Sequence, residues 1–381
     1  NVDDEDDLEL IFGTMRRNLH VLKIDSTELE GFPKAFNLPI DQGVAVADIN
    51  GDQQPEMIFG TFNGQLFAID ATGDTLSNFP LQLDMRLSVT PIVVETDTSL
   101  YIIAATNDQK ILKINPQGTV KSLYQFNQPI VGSPAVQDLN GDGNPEIIVA
   151  DESGMLAAVS IDDGTALNLF PIQLDHSITT TPLSADLDGD LKNDLIVSTV
   201  DSAITVLSDA GEDLPGFPAK IKASLNGSPV IDDIDADGDL EISIGGSNGL
   251  YVLDLKDTGS IEPSWNTYLA NNYRTGYYRF SSSTFVRSPV NTVPDQIMLY
   301  SNYPNPFNSQ TTIHYALHKT THVELDIYNV LGQRVASLFS GRQQPGVYDV
   351  KWDAGNMASG IYIYRLYTER RILSKRMLLI R

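Results

Sequence analysis

Apolar and polar residues alternate along the chain in short runs, broken every few positions by Gly, Asp, Asn or Pro. Runs of about four to eight residues rich in Val, Ile and Leu, bounded by turn residues, predict β-strands. No stretch sustains a 3.6-residue apolar period with end caps, so an all-β chain is expected. Residues 133–138, 146–150, 155–161 and 166–174 show one unit: strand, acidic loop, strand, Gly turn, strand, turn, strand.

That unit repeats. Residues 48–60, 138–150, 186–198 and 233–245 align, and their starts lie 90, 48 and 47 residues apart, a period of about 45 with one copy hidden in the first interval. Thr90-Pro91 exposes the hidden copy by matching Ser133-Pro134, Thr181-Pro182 and Ser228-Pro229. Phe-Pro pairs at 32–33, 79–80, 170–171 and 217–218 keep the same spacing, and residues 9–14 parallel residues 56–61. Six copies result, the first without its opening strand and beginning inside a loop, a pattern expected of truncation or processing. Four short strands in about 45 residues is the size of a β-propeller blade, and blades bury their faces only by stacking on neighbours.

Charge divides the chain. Residues 290–381 carry 10 Lys+Arg and 6 Asp+Glu, whereas residues 1–289 carry 15 and 44. The shift sits beside a Ser/Thr/Pro-rich stretch, so the expected layout is 1–280 propeller with closing segment, 281–294 linker and 295–381 a second domain. An overall net charge of −25 argues against sequence-independent binding of nucleic acid or anionic lipid. No apolar run is long enough to span a bilayer. The acidic opening residues are unlike a signal peptide. Without Cys, thiolate chemistry and disulfides are excluded.

The acid sits mainly in the repeated loops. Each places carboxylate or carboxamide residues at offsets 0, 2 and 4 and a carboxylate at offset 8. Offsets 0, 2 and 4 of a turning loop face one side, the offset-8 carboxylate closes the set, and a backbone carbonyl at offset 6 adds an oxygen. That explains why Gln54, Asn144, Lys192 and Asp239 can all occupy that place. An all-oxygen, irregular cage suits Ca²⁺. An EF-hand would need Glu at the twelfth position, where Phe59, Val149, Val197 and Ile244 stand. The hidden copy has lost two loop residues and keeps only Glu95 and Asp97, with Tyr101 at the closing position, so its sheet should persist without an ion.

These loops resemble the FG-GAP (VCBS-type) repeats of calcium-binding β-propellers over about residues 1–255. The resemblance implies calcium on Asp48, Asn50, Asp52 and Glu56; on Asp138, Asn140, Asp142 and Glu146; on Asp186, Asp188, Asp190 and Asp194; and on Asp233, Asp235, Asp237 and Glu241. Asn1, Asp3, Glu5, Asp7 and Glu9 form a divergent N-terminal version. Residues 265–268 and 272–277 look like the closing segment that follows such propellers, or equally like an aromatic patch covering the last blade.

Residues 295–381 alternate in seven short runs, which suggests an immunoglobulin-like sandwich. Residues 302–308 (NYPNPFN), 328–333 (YNVLGQ), 360–362 (GIY) and 375–380 (KRMLLI) occur in order. They resemble a type A-like sorting domain of the type IX secretion system. That resemblance implies contact with the type IX machinery and a secreted or cell-surface protein of a Gram-negative bacterium.

Five His are scattered, and no G-x-S-x-G, H-E-x-x-H or phosphate loop is present, so no enzyme is expected. The leading expectation is a secreted, calcium-stabilised propeller that binds protein or glycan at the cell surface. The alternatives are a non-catalytic C-terminal part of a larger secreted hydrolase or peptidase and, with less support, a polysaccharide lyase, since cations that could line a channel are scarce.

Overall fold

A computed structural model describes residues 2, 8–190, 192–225, 227–234, 239–255, 259–271, 273–280, 297–299, 302, 307–317, 319–329, 333–355, 357–368 and 372–379. Asn1, Asp3, Glu5, Asp7, Asp235, Asp237 and the 281–294 linker lie outside the described residues. The chain divides into two compact units, Asn1–Thr284 and Phe285–Arg381. Among the described residues every element is a strand and none is a helix.

Among the described residues the first unit holds six sheets, one per repeat, each antiparallel within its repeat. Sheet I is Leu10–Gly13, Asn18–Leu22 and Lys34–Ala35; sheet II is Ala45–Ala47, Glu56–Gly60, Gln65–Ile69 and Leu81–Gln82. Sheet III is Ile92–Glu95, Leu100–Ala105, Lys110–Ile114 and Val120–Gln125; sheet IV is Ile130–Gln137, Glu146–Asp151, Met155–Ser160 and Ile172–Gln173. Sheet V is Leu183–Asp186, Asp194–Ser198, Ala203–Leu207 and Ala219–Lys220; sheet VI is Val230–Asp232, Glu241–Gly246 and Gly249–Asp254.

The expected strand over 166–174 is shorter than the sequence suggested. Only Ile172–Gln173 pairs as a strand, preceded by a bridge from Val159 to Ala166 and a turn closed by Phe170 N–H to Leu167 O. Pro171 has no N–H to give a ladder, so the strand can begin only after it. Sheets I, II and V carry the same two-residue last strand just after their Phe-Pro pairs, and all four Phe-Pro bonds are cis.

Both faces of the inner sheets are apolar because each is pressed between two others. Alternate residues go to opposite neighbours. Met57 and Phe59 of sheet II pack with Leu19 and Val21 of sheet I, whereas Ile58 and Leu66 pack with Ile102 and Ala104 of sheet III. One larger core runs on from sheet III to sheet VI. The Thr-Pro and Ser-Pro markers join neighbouring sheets on their polar side: the N–H groups of Gly43, Ser133 and Thr181 donate to the hydroxyls of Thr90, Thr181 and Ser228 at 3.0, 3.0 and 3.2 Å.

The segment after sheet VI covers more than the last sheet. Ser260–Trp265 adds an antiparallel strand to the first strand of sheet V, and Tyr277–Arg279 adds a parallel strand to the first strand of sheet III. Between them, Asn266 exchanges two hydrogen bonds with Ile231 of sheet VI, Thr275 O accepts from Val46 N–H of sheet II, and Tyr268 reaches Thr90. The segment therefore threads along the first strands of four sheets, with Trp265 fully buried against Tyr278.

Among its described residues the second unit has seven strands, the number the alternation predicts. One sheet orders Met298–Leu299, Gln310–Leu317 and Gly346–Asp353; the other orders Arg334–Gln343, Thr321–Asn329, Gly360–Thr368 and Ile372–Leu379. Ile313, Tyr315, Leu325, Ile327, Tyr364 and Leu379, from both sheets, share one core.

Candidate metal centre

Every repeated loop is organised by its closing carboxylate. Glu56, Glu146, Asp194 and Glu241 each turn one oxygen back to accept from the N–H at offset 1, on Ile49, Leu139, Leu187 and Ile234, at 2.8, 2.9, 2.8 and 2.6 Å. The N-terminal loop shows the same bond, Val2 N–H to Glu9 at 2.8 Å. The first carboxylate caps the turn: Asp48, Asp138 and Asp186 each accept from the Gly at offset 3 at 2.7 Å. The offset-4 carboxylates of Asp52, Asp142 and Asp190 accept from the N–H of Gln54, Asn144 and Lys192, all at 2.8 Å. Left-handed Gly51, Gly141 and Gly189 allow this tight path.

The arrangement concentrates negative charge on buried oxygens. Glu56 and Glu146 are almost fully buried, and burial pushes their carboxyls up to about 7, with Asp48 and Asp52, or Asp138 and Asp142, adding repulsion. Asp194 is pushed to about 7 by burial, then by Asp188, Asp190 and Asp186. Carboxylate oxygens of Asp48, Asp52 and Glu56 lie within 4.8 Å of one another, as do those of Asp186, Asp188 and Asp194. Asp138, Asp142 and Glu146 are not gathered to that distance, although their hydrogen bonds match those of the Asp48 loop. Asn50 and Asn140 turn their amide NH₂ toward the carboxylates: Asn50 donates to Asp52 at 3.0 Å and to Glu56 at 2.6 Å, Asn140 to Asp142 at 3.0 Å and Glu146 at 3.4 Å. Positive hydrogens thus lie where carboxylates converge. Every side-chain donor is an oxygen, so these residues fit a hard divalent cation and not a soft metal.

In the last repeat the gathered set is Asp239, Glu241 and Asp254. Asp254 was not anticipated, although hairpin register places it opposite the closing Glu241. Asp233 stands earlier in the same loop, its N–H on Asp232 at 3.0 Å. Lys192 aims its ammonium away, onto Asp209 at 2.7 Å, in keeping with a role for its backbone carbonyl alone.

The shortened repeat replaces a loop with a hairpin. Thr96 N–H bonds Ser99 O at 2.7 Å, and the flanking strands Ile92–Glu95 and Leu100–Ala105 pair in register. Glu95 takes the Tyr277 hydroxyl and lies 3.6 Å from Arg279. The sheet persists as expected, and its carboxylate anchors the threading segment. Among the histidines, His20 pairs with Glu28 at 2.7 Å and His176 with Asp201 at 3.2 Å.

Residues 301–380 match the family model of a secretion system C-terminal sorting domain. The protein is exported. This tail implies the type IX system and its machinery, and it directs the chain to the surface or outside of a Bacteroidetes-type Gram-negative cell. Residues 24–128, which span sheets II and III, match the model of a lambda-carrageenase β-propeller domain. Among solved structures, BBS1N in complex with ARL6DN is similar at 11% identity, over 93% of this chain and 89% of that one, with a TM-score of 0.50. PorZ, a surface component of the type IX secretion system of Porphyromonas gingivalis, is 16% identical over 98% of this chain and 50% of that one, at a TM-score of 0.42. The V. cholerae biofilm matrix protein Bap1 is 14% identical over 97% and 69%, at 0.45. At such identities a likeness concerns the fold alone. No curated protein matches the sequence. No helix among the described residues is long and apolar enough to cross a membrane.

Proposed function

We propose that residues 1–280 are a calcium-stabilised β-propeller of FG-GAP (VCBS) type, serving as a binding or adhesion module for protein or glycan outside the cell. An immunoglobulin-like sorting domain would carry it there. The observation that carries the reading is the bond from the closing carboxylate to the offset-1 N–H, repeated in five loops. Asp48, Asn50, Asp52 and Glu56 would hold one ion, and the corresponding residues of the other loops would hold theirs. Bound calcium supplies positive charge where carboxylates crowd. The chain's own residues do the rest: Gly turns aim the oxygens, and the N–H at offset 1 fixes the closing carboxylate. The threading segment occupies the edges of the first strands, which supports the loops between strands as the surface for a ligand.

We infer no catalysis by this chain. Its loop carboxylates are held by backbone N–H groups, and the repeat starts stay about 45 residues apart, without a long insertion in the sequence between them. A second reading, the non-catalytic part of a larger secreted hydrolase, is favoured by the match of residues 24–128 to a carrageenase propeller domain. A lyase acting on acidic polysaccharide has least support. Calorimetric titration with calcium, followed by a glycan array with and without the ion, tests the leading reading. Heat from several sites in the millimolar range or tighter is expected, and its absence refutes the metal assignment.

A further inference from the structure

The two sheets of the second unit turn unlike faces outward. In the three-stranded sheet Thr311, Ile313 and Tyr315 point into the core and are buried, so Gln310 and Thr312 point out, opposite Asp353 and Lys351 of the neighbouring strand. That face is polar, as a solvated sheet face should be. In the four-stranded sheet Val323, Leu325 and Ile327 point inward, and the alternate positions carry a different surface. Ile361 and Leu378, paired across neighbouring strands, are 46% and 37% exposed, and Ile363 beside them is half-buried.

A second packed layer covers the rest of that face. Asp326 sits on the outward side of its strand, yet it is only 2% exposed. Its carboxylate accepts from Arg334 at 3.0 Å and from the Tyr328 hydroxyl at 3.3 Å, and the Tyr328 and Tyr367 hydroxyls lie 2.9 Å apart. The Arg365 guanidinium lies 4.9 Å from the centre of the Tyr328 ring. These contacts hold two Tyr and two Arg in place before any partner arrives, so little side-chain freedom is left to lose on binding. Aromatic rings, Arg and apolar side chains are what the cores of protein interfaces are made of. Charge separates the two sheets as well. Residues 319–343 and 360–381, which build the four-stranded sheet, hold nine Lys+Arg and three Asp+Glu, whereas residues 297–317 and 346–353 of the other hold one and two.

Residues 301–380 direct export, so the secretion machinery has to touch this unit. Of its two broad faces, one is built like the core of an interface. We propose that the outward face of the four-stranded sheet, centred on Tyr328, Ile361, Ile363 and Arg365, is the surface that docks on the type IX machinery, against a partner surface that is acidic and partly apolar. The proposal rests on the sorting role alone and holds whether or not the loops of the first unit bind calcium.

Ile361→Glu and Arg376→Glu place acid on that face at exposed positions, and Thr312→Glu and Lys351→Glu place it on the other. Each full chain is expressed in a host with a type IX system, and the fraction at the surface or in the medium is read by fractionation and blotting. The first two variants should lower the exported fraction roughly tenfold or more. Thr312→Glu and Lys351→Glu should export as wild type does, and so should the conservative Ile361→Leu and Arg376→Lys. Melting of the purified chains, followed by circular dichroism, should show all of them folded. Normal export of Ile361→Glu and Arg376→Glu overturns the proposal, and so does an equal loss in the Thr312 and Lys351 variants. Export that falls in step with melting temperature across the set is a folding effect and overturns it too. A chain ending at residue 284 separates two failures. Its export would overturn the sorting role and this proposal together, whereas its retention beside normal export of the Ile361 and Arg376 variants would overturn the docking face alone.

Discussion

Replacing Asp194 by Asn removes a charge from the place where burial and three neighbouring aspartates oppose it, while Asn can still present an oxygen to Leu187 N–H. The carboxyl of Asp194 rises from an ordinary 3.8 to about 7 in the folded chain. The folded state thus holds this proton more tightly than the unfolded state. Without metal, stability is fullest below the unfolded value, falls as pH climbs toward about 7, and is flat above. The difference of about 3 pKa units corresponds to roughly 4 kcal/mol, which we discount to about 2 kcal/mol for solvent that reaches the loop. In chelator at pH 8 the variant should therefore melt higher than wild type, by roughly 4–8 °C for a unit of this size. At pH 4 the two should coincide. Calcium should narrow the gap: at ~1 mM a site with a dissociation constant of about 10⁻⁴–10⁻³ M adds roughly 0.4–1.4 kcal/mol to wild type, and the variant forgoes that gain. Differential scanning calorimetry at both pH values, with and without calcium, reads all four states. A variant destabilised equally at both pH values in chelator would refute the burial argument, and an unchanged calcium shift would remove Asp194 from the ligand set.

Gly132→Ala should cost about 2–4 kcal/mol, because φ is +65° and a Cβ there would lie 2.4 Å from Thr181 N on the next sheet; chemical denaturation measures it. Tyr277→Phe deletes the hydroxyl bound to Glu95, and at a cost of about 1–2 kcal/mol it should speed amide exchange across residues 275–280 roughly tenfold, read by mass spectrometry. A chain ending at residue 284 should remain inside the cell, whereas the full chain reaches the surface or medium; fractionation and blotting decide between them.

Much of this architecture is legible because sheets pressed between sheets must be apolar on both sides, which makes strands such as Glu56–Gly60 and Asp194–Ser198 stand out between Gly and Asp turns. The loops are legible for a similar reason, since their ligand-type residues follow a fixed local spacing. What escapes the sequence is non-local. Nothing local to Trp265 or Tyr277 says that their strands will join the edges of sheets V and III, because edge pairing leaves no periodic mark of its own. The role of Glu95 was hidden likewise: its partner Tyr277 is 182 residues away. Asp254 was within reach, because counting back through the Gly249 turn places it opposite Glu241. The fourth strands were overestimated where Pro171 and its counterparts remove the donor that a longer ladder needs.

The threading segment also sets how the molecule yields under load. Tension arriving along the chain from the sorting domain meets the array at Phe280, whose N–H is held by Glu95 O, and next bears on the Tyr277–Arg279 strand. That strand belongs to no repeat's own meander, so it can peel away without unravelling a sheet. Release of residues 260–280 would lengthen the tether by roughly 70 Å at about 3.4 Å per residue. The repeats themselves stay folded in that step. A chain pulled at that end thus has slack to give before it has structure to lose, and a force-extension trace should show that short first step.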